Sequence, residues 1–344
     1  MELKKKFTFV VVQARLNSKR YPEKILKKIC GKTIIQLVCE RLSFCKEIDS
    51  VVIATTQDRE DDKLVEHLKK NKIKFFRGNT ENCLNRFYNA AKKFNVSTIV
   101  RITADCPLVD SGLVDEFVKK FNKSNLDYLS NTFPYSFPDG LDIEVFSFNF
   151  LKKVFQSEGK KKYLENVVID YFKKNFKKIK FKNILSKNKE NSLRLTLDYK
   201  SDYDLINNIY EYFYPRINFS WKEILKYKMK NPKIFLINNM HRRNEGQELG
   251  VGQKLWERAK EVISGGNMIY SKNPDFILPK KWPGYFIKTK GYKIWGADNK
   301  IYYDMSTMGV GTNILGYSNN EVDNTVLEVV KNGNLSSLNS PDEI

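Results

Sequence analysis

Histidine is almost missing from this 344-residue chain, which carries only His67 and His241. That gives poor support to a histidine-centred triad or a multi-histidine metal site. Cysteine is sparse as well: Cys30, Cys39, Cys45, Cys83 and Cys106 all fall in the first third and form no CxxC pair. Buried thiols in a reducing compartment are expected, not a disulfide framework or a zinc site. No apolar run approaches the roughly 20 residues a membrane helix needs. Met1-Glu2-Leu3-Lys4 leads straight into an apolar strand, so neither a signal peptide nor a membrane span is expected, and the expected location is cytoplasmic.

What the chain has in excess is positive charge, with 60 Lys and Arg against 40 Asp and Glu, a net +20. The excess is mostly lysine spread along the whole length together with many asparagines and isoleucines. This reads as compositional bias and solvated faces with a general attraction for anions. A nucleic-acid-binding protein stays as a rival reading, which steep salt dependence would mark. The densest basic stretch, Lys160-Lys161-Lys162 with Lys173-Lys174 and Lys177-Lys178, is interleaved with Tyr163, Phe172 and Phe176 and predicts an amphipathic helix with a wet lysine face.

At this length two domains are expected. Residues 1–230 alternate strands and helices, the signature of an α/β, doubly wound, mostly parallel sheet. Strands are predicted at Phe7 to Val12, Ser50 to Thr55, Ile73 to Phe76 and Thr98 to Ile102. Helices are predicted at Thr33 to Phe44, Glu60 to Lys70 and Glu81 to Phe94. A last strand, Leu193 to Leu197, is followed by helices from Asp202 to Phe213 and Trp221 to Lys228. Residues 231–251 read as a linker. In 252–344 a helix from Gln253 to Ile263 precedes a small antiparallel sheet built from Tyr285 to Lys288, Tyr292 to Trp295 and Ile301 to Met305.

Doubly wound sheets bind ligands beyond the carboxyl ends of their strands, which directs attention to four segments. The first is the loop Gln13 to Lys24, where Arg15, Arg20 and Lys24 stand five and four residues apart. They could converge on one phosphate chain, or the loop could be a solvated turn. Asp105, directly after a strand, suits a Mg²⁺ ligand or the cap of a helix near Ser111. Asp198 invites the same two readings. Asp142 and Glu144, two apart, would share one face of an extended strand, for substrate hydroxyls or merely for solvent.

Taken together, Gln13-Ala14-Arg15 through Pro22 and Lys24-Ile25-Leu26, Gly31-Lys32, Ala54-Thr55, Arg77-Gly78 with Leu84 and Arg86, Asp105-Cys106-Pro107-Leu108, Gly140-Leu141-Asp142-Ile143-Glu144-Val145-Phe146 and Leu195-Thr196-Leu197-Asp198 resemble the cytidylyltransferases that make CMP-activated acidic sugars. The likeness is to the CMP-Kdo and acylneuraminate enzymes, and most of all to the spore-coat-polysaccharide branch. The resemblance implies a Rossmann-like sheet of the nucleotide-diphospho-sugar transferase type, with a small-molecule acceptor attacking the α-phosphorus of CTP and pyrophosphate leaving. It implies Mg²⁺ on Asp105 and Asp198, and Arg15 and Lys24 as catalytic cations. Gln13, Ala14, Asn17, Ala54, Thr55 and Thr103, with Arg15 and Lys24, would surround the nucleotide. Asp142 and Glu144 would hold the acceptor. Thr103 stands where acidic-sugar members usually carry Gln, and the loop lacks the glycine-dense opening of uridylyl- and guanylyltransferases.

The tail looks different. Leu255-Trp256-Glu257-Arg258-Ala259, Gly265-Gly266, Ile294-Trp295-Gly296-Ala297-Asp298-Asn299, Tyr302-Tyr303-Asp304 and Gly311-Thr312-Asn313-Ile314-Leu315-Gly316-Tyr317 resemble the start of class III aminotransferases of the glutamate-1-semialdehyde aminomutase type. The resemblance implies a small α+β N-terminal piece of a fold-type I enzyme, and pyridoxal phosphate only for a full-length domain. The expectation is a partial second enzyme with no transaminase activity in these residues alone. The first domain would then supply a neighbouring step, or serve as a non-catalytic scaffold. A homodimer is compatible with the sequence but not required by it.

Overall fold

The computed structural model describes residues 7–333, apart from 19, 162, 163, 165, 188, 189, 242, 244–249, 279–281, 307 and 310. The chain divides into two compact units, Met1–Arg243 and Asn244–Ile344.

The first unit follows the apolar pattern of its strands. β1 (Thr8–Gln13) sends Val10 and Val12 to one face of the sheet and Phe9 and Val11 to the other, and each set joins its own core cluster. Such double burial is what a central parallel strand requires. A short hairpin, β2 (Lys28–Ile29) and β3 (Lys32–Thr33), leads into α1 (Ile34–Ser43), which Thr33 and Gln36 close with a capping box. β4 (Ser50–Thr56), α2 (Asp62–Lys70), β5 (Phe75–Gly78), α3 (Cys83–Lys93), β6 (Thr98–Thr103) and α4 (Ser111–Asn122) continue the alternation. β7 (Tyr128–Ser130), β8 (Glu144–Ser147), α5 (Phe148–Glu158), α6 (Ile169–Asn175) and β9 (Phe181–Asn183) widen the sheet, and α7 (Lys200–Phe213) and α8 (Trp221–Lys230) cover a third cluster. The strand order is β5-β4-β1-β6-β8-β7-β9. Only β8 runs against its neighbours, pairing antiparallel with β6 and β7. The sheet is the mostly parallel, helix-covered one expected.

Buried Arg41 of α1 fastens that third layer. Its guanidinium donates to the carbonyls of Val109 at 2.7 Å, Ile217 at 2.5 Å and Phe219 at 2.7 Å, and lies 4.4 Å from the Phe219 ring centre.

Three expectations need correction. Leu193 to Leu197 forms no strand of the sheet: its leucines fill the third cluster, but its pairing stops at a single parallel bridge between Arg194 and Asp139, with Leu195 bonding the Asp139 carbonyl at 2.7 Å and Leu197 the Asp105 carbonyl at 2.8 Å. An alternating apolar run looks like a strand whether or not a strand lies beside it. The lysine-rich stretch is not one helix, because α5 ends at Glu158 and α6 starts at Ile169. Lys173, Lys174, Lys177 and Lys178 are exposed beside buried Phe172, whereas Phe176 faces solvent and Lys162 and Tyr163 lie outside the described residues. Finally, the first part of 231–251 is no spacer: Phe235 is buried in the third cluster and Asn238 is only 2% exposed.

In the second unit, α9 (Val251–Val262) and the short α10 (Pro274–Ile277) precede the antiparallel sheet β10 (Phe286–Lys290), β11 (Lys293–Gly296) and β12 (Ile301–Tyr303), with α11 (Asn320–Lys331) after it. Trp256 and Ala259 are buried on α9, while α11 has no buried residue. No helix among the described residues is long and apolar enough to cross a membrane.

Candidate active site

Three strand ends stand side by side in the sheet. Gln13 of β1 is in register with Ala54 of β4 and Thr103 of β6. Past these ends the ladder continues for one bond on each side, Ala14 to the Ala54 carbonyl at 3.2 Å and Ala104 to the Gln13 carbonyl at 2.9 Å. The chain then leaves the sheet, and its next residues are free to face a ligand.

The loop after β1 is pinned by a residue that sequence pattern does not single out. Asp61, 1% exposed, accepts from the Leu16 amide at 2.7 Å, the Thr55 hydroxyl at 2.9 Å, the Thr56 amide at 3.1 Å and the Thr56 hydroxyl at 2.5 Å. A buried carboxylate with four donors is a rigid peg. Of the residues expected around the nucleotide, Thr55 turns its hydroxyl to Asp61 and Ala54 is fully buried, so neither side chain faces outward. Arg15 and Asn17, by contrast, project from the pinned loop into solvent. Among the described residues Arg15 forms no ion pair, which leaves its five donors available to an anion.

Lys24 turns the other way. Only 8% exposed, its ammonium donates to Asp105 at 2.9 Å, to Asp198 at 2.8 Å and to the Leu197 carbonyl at 2.7 Å. Asp105 and Asp198, 93 residues apart in sequence, thus meet on one cation. Burial alone would push the lysine down, but the two carboxylates outweigh it and raise its pKa. Burial also acts to raise the Asp105 carboxyl, yet Lys24 and Thr103 hold it well below the usual carboxylate range, so it is ionised at neutral pH. Asp105 is also released from the capping alternative, because Asp110 caps α4 by accepting from the Leu113 amide at 2.8 Å.

Around Asp198 the structure adds residues that local pattern could not rank. Arg20, supported in the sequence by spacing alone, approaches Asp198 at 2.7 Å. Buried Arg194 reaches Asp198 at 3.0 Å, Asp139 at 2.9 Å and Asp202 at 2.9 Å. Asp139 in turn faces Arg243 at 3.5 Å, and Arg243 pairs with Asp142 at 2.5 Å. The result is a line of alternating charge, Asp105–Lys24–Asp198–Arg194–Asp139–Arg243–Asp142. The i,i+4 spacing of Arg194, Asp198 and Asp202 was the one signal present in the sequence.

Asp142 and Glu144 part company. The Asp142 side chain is 33% exposed, and burial pushes its carboxyl up to about 7, against the pull of Arg243. Glu144 is 5% exposed and binds Arg101 at 2.5 Å, with Arg101 also donating to Gln13 at 3.1 Å. Gln13 and Glu144 therefore serve Arg101 beneath the site, and Glu144 shares no exposed face with Asp142. Thr103 contacts Cys106 at 3.2 Å.

The donor set fits Mg²⁺, a hard cation that uses one or two carboxylates, several waters and phosphate oxygens. Among the described residues Asp105 pairs with one cation, Lys24, and has the weak Cys106 thiol 3.9 Å from its Oδ1, while Asp198 already faces three cations. Asp105 is thus the open ligand. Among the described residues no cluster of three or more His, Cys, Asp or Glu stands ready for a metal, so phosphate oxygens would have to complete the shell.

The chain is similar to a solved cytidylyltransferase from Leptospira borgpetersenii, with 33% identity, a TM-score of 0.63, and coverage of 67% of this chain and 97% of that one. It is 34% identical to an uncharacterised protein of Methanocaldococcus jannaschii over 70% of this chain and 97% of the relative. The spore coat polysaccharide biosynthesis protein SpsF of Bacillus subtilis is 28% identical over 64% and 94% of the two chains. Over 75 residues the chain is 39% identical to an aminopentol aminotransferase of Sphingopyxis macrogoltabida, spanning 22% of this chain but only 17% of that enzyme. Residues 9–230 match the family model described as cytidylyltransferase, and with that span and the Leptospira fold in common, the chain belongs to the cytidylyltransferase family.

Proposed function

We propose that this enzyme transfers CMP from CTP to an oxygen of a small sugar acid, sugar phosphate or polyol phosphate, for surface-polysaccharide or glycan assembly. The carrying observation is that Lys24 joins Asp105 and Asp198 at the mouth of the sheet, beside a pinned loop that holds Arg15 out to solvent. The acceptor oxygen would bond to the α-phosphorus as the bond to the pyrophosphate oxygen breaks. Arg15 suits bidentate capture of the phosphates, and Lys24 keeps Asp105 ionised. A Mg²⁺ held by Asp105, with Asp198 as second ligand once one of its three cations gives way, would supply neutralisation of the charge that builds on the phosphate oxygens. Asp142, half-buried at the far end of the charge line, suits an acceptor hydroxyl.

The B. subtilis relative's role in spore coat polysaccharide gives the glycan setting its support. The aminotransferase-like stretch supports an amino-bearing product. Pyridoxal phosphate does not fit the described part of the second unit, where every described lysine is exposed or half-buried and none is the desolvated amine a Schiff base uses. No cofactor step is assigned there.

The test is a pyrophosphate-release screen of four nucleoside triphosphates against sugar acids, sugar phosphates and polyol phosphates. CTP-specific release that Asp105→Ala lowers at least about 100-fold is expected. Calorimetry showing no CTP binding with Mg²⁺ sinks the proposal, and CTP binding without release from any acceptor favours a nucleotide-binding scaffold.

A further inference from the structure

Past the matched span, which ends at residue 230, the chain folds back onto the charge line. Asn238 donates to the Arg194 carbonyl at 3.2 Å and to Asp202 at 2.7 Å, touching the start of the 194–202 loop and the carboxylate that closes it. His241 stacks on the Tyr199 ring at 3.8 Å with 4° between planes and lies 3.1 Å from the Ser201 hydroxyl. Arg243 works on the other loop: it donates to the carbonyls of Phe137 at 3.0 Å and Pro138 at 3.2 Å, pairs with Asp142, and lies 4.1 Å from the Tyr135 ring centre.

Those two loops carry Asp139, Asp142, Asp198 and Asp202, the carboxylates of the charge line other than Asp105. Asp139 links them, because it faces Arg194 on one side and Arg243 on the other. Asp202 accepts from the Asp198 and Tyr199 amides at 2.8 and 2.9 Å, so whatever fixes Asp202 fixes the backbone that carries Asp198. A planar guanidinium bonding two carbonyls and a carboxylate at once has one orientation open to it. A lysine or a neutral side chain could not impose the same arrangement.

We propose that Asn238, His241 and Arg243 form a strap that sets the catalytic carboxylates: Asn238 and His241 position Asp198 through the 194–202 loop, and Arg243, besides holding Asp142, positions Asp198 through Asp139 and Arg194. The proposal rests on the cytidylyl-transfer reading, and it places positioning residues for that reaction outside the family's matched span. It also means that the stretch leading to the second unit is part of the first unit's site.

The test uses the full chain, with CTP and Mn²⁺ as probes, calorimetry for affinity and thermal melting for fold. In the unaltered protein Mn²⁺ is expected to tighten CTP binding. Asn238→Ala and Arg243→Ala are each expected to lower the Mn²⁺-dependent affinity by about tenfold, as removal of a ligand-orienting partner does. CTP affinity in EDTA should stay within about twofold. Millimolar guanidinium should restore Arg243→Ala but not Asn238→Ala, and Arg243→Lys, which keeps the charge but loses the fork, should fall between. The lysine variant also covers the case in which an alanine variant fails to fold. Unchanged Mn²⁺-dependent affinity in folded variants, or equal loss of affinity with and without metal, reduces the strap to packing and overturns the proposal. Absence of any Mn²⁺ effect in the unaltered protein overturns the cytidylyl-transfer reading and the positioning role with it.

Discussion

At the scale of single residues, Asp61 decides more than its position in the chain suggests. Four donors from the end of β4 and the loop after β1 converge on it. Asp61→Ala is expected to destabilise the first unit by about 3 kcal/mol, because it leaves buried donors without a partner. Urea unfolding measures the loss. CTP affinity should fall beyond it at temperatures where the variant is fully folded, and unchanged affinity would show that the loop holds its shape without the peg. Residues of this kind escape sequence reading for a physical reason: Asp61 and Leu16 are 45 positions apart, and a bond across that distance leaves no period in the chain. Arg194, Arg101 and Arg243 escaped for the same reason, whereas Arg15, Lys24 and Asp105 follow strand ends where topology already pointed, and Asp198 follows an apolar run that only reads like a strand.

At the scale of elements, the helices hold by their caps. α8 begins with a reciprocal box in which the Ser220 hydroxyl accepts from the Glu223 amide while Glu223 accepts from the Ser220 amide at 2.8 Å. That amide, and then Arg216, hold the Glu223 carboxyl down to about 2. A carboxyl depressed on folding contributes stability that is fully present above its unfolded value near 4.5 and disappears as pH falls through about 2. The midpoint of urea unfolding should therefore drop over that window in the unaltered protein and drop less in Glu223→Gln; identical acid limbs would refute the assignment. The elements themselves were largely legible, because buried parallel strands write continuous apolar runs and helices write a 3.6-residue stripe. The exception is instructive. Leu193 to Leu197 has the burial of a strand without the ladder, and burial is all that composition reports.

For the whole molecule, all three core clusters are built from residues no later than Phe235. A protein ending at Arg243 is accordingly expected to melt cooperatively and to bind CTP with the affinity of the full chain, and loss of cooperative melting would show that the first unit depends on the second. Within the first unit, the line from Asp105 to Asp142, with Arg20 and Asp202 at its side, brings five carboxylates and four cations into contact. Such a row behaves like a zip whose teeth alternate in sign. Replace Asp139 alone and two guanidiniums lose their shared counterion; replace Arg194 alone and three carboxylates repel. Drift at any tooth is therefore tolerated only together with its neighbour. The Asp142 end and the Asp105 end would have to change through paired substitutions, and a homologue with one altered charge here should carry a second change adjacent to the first.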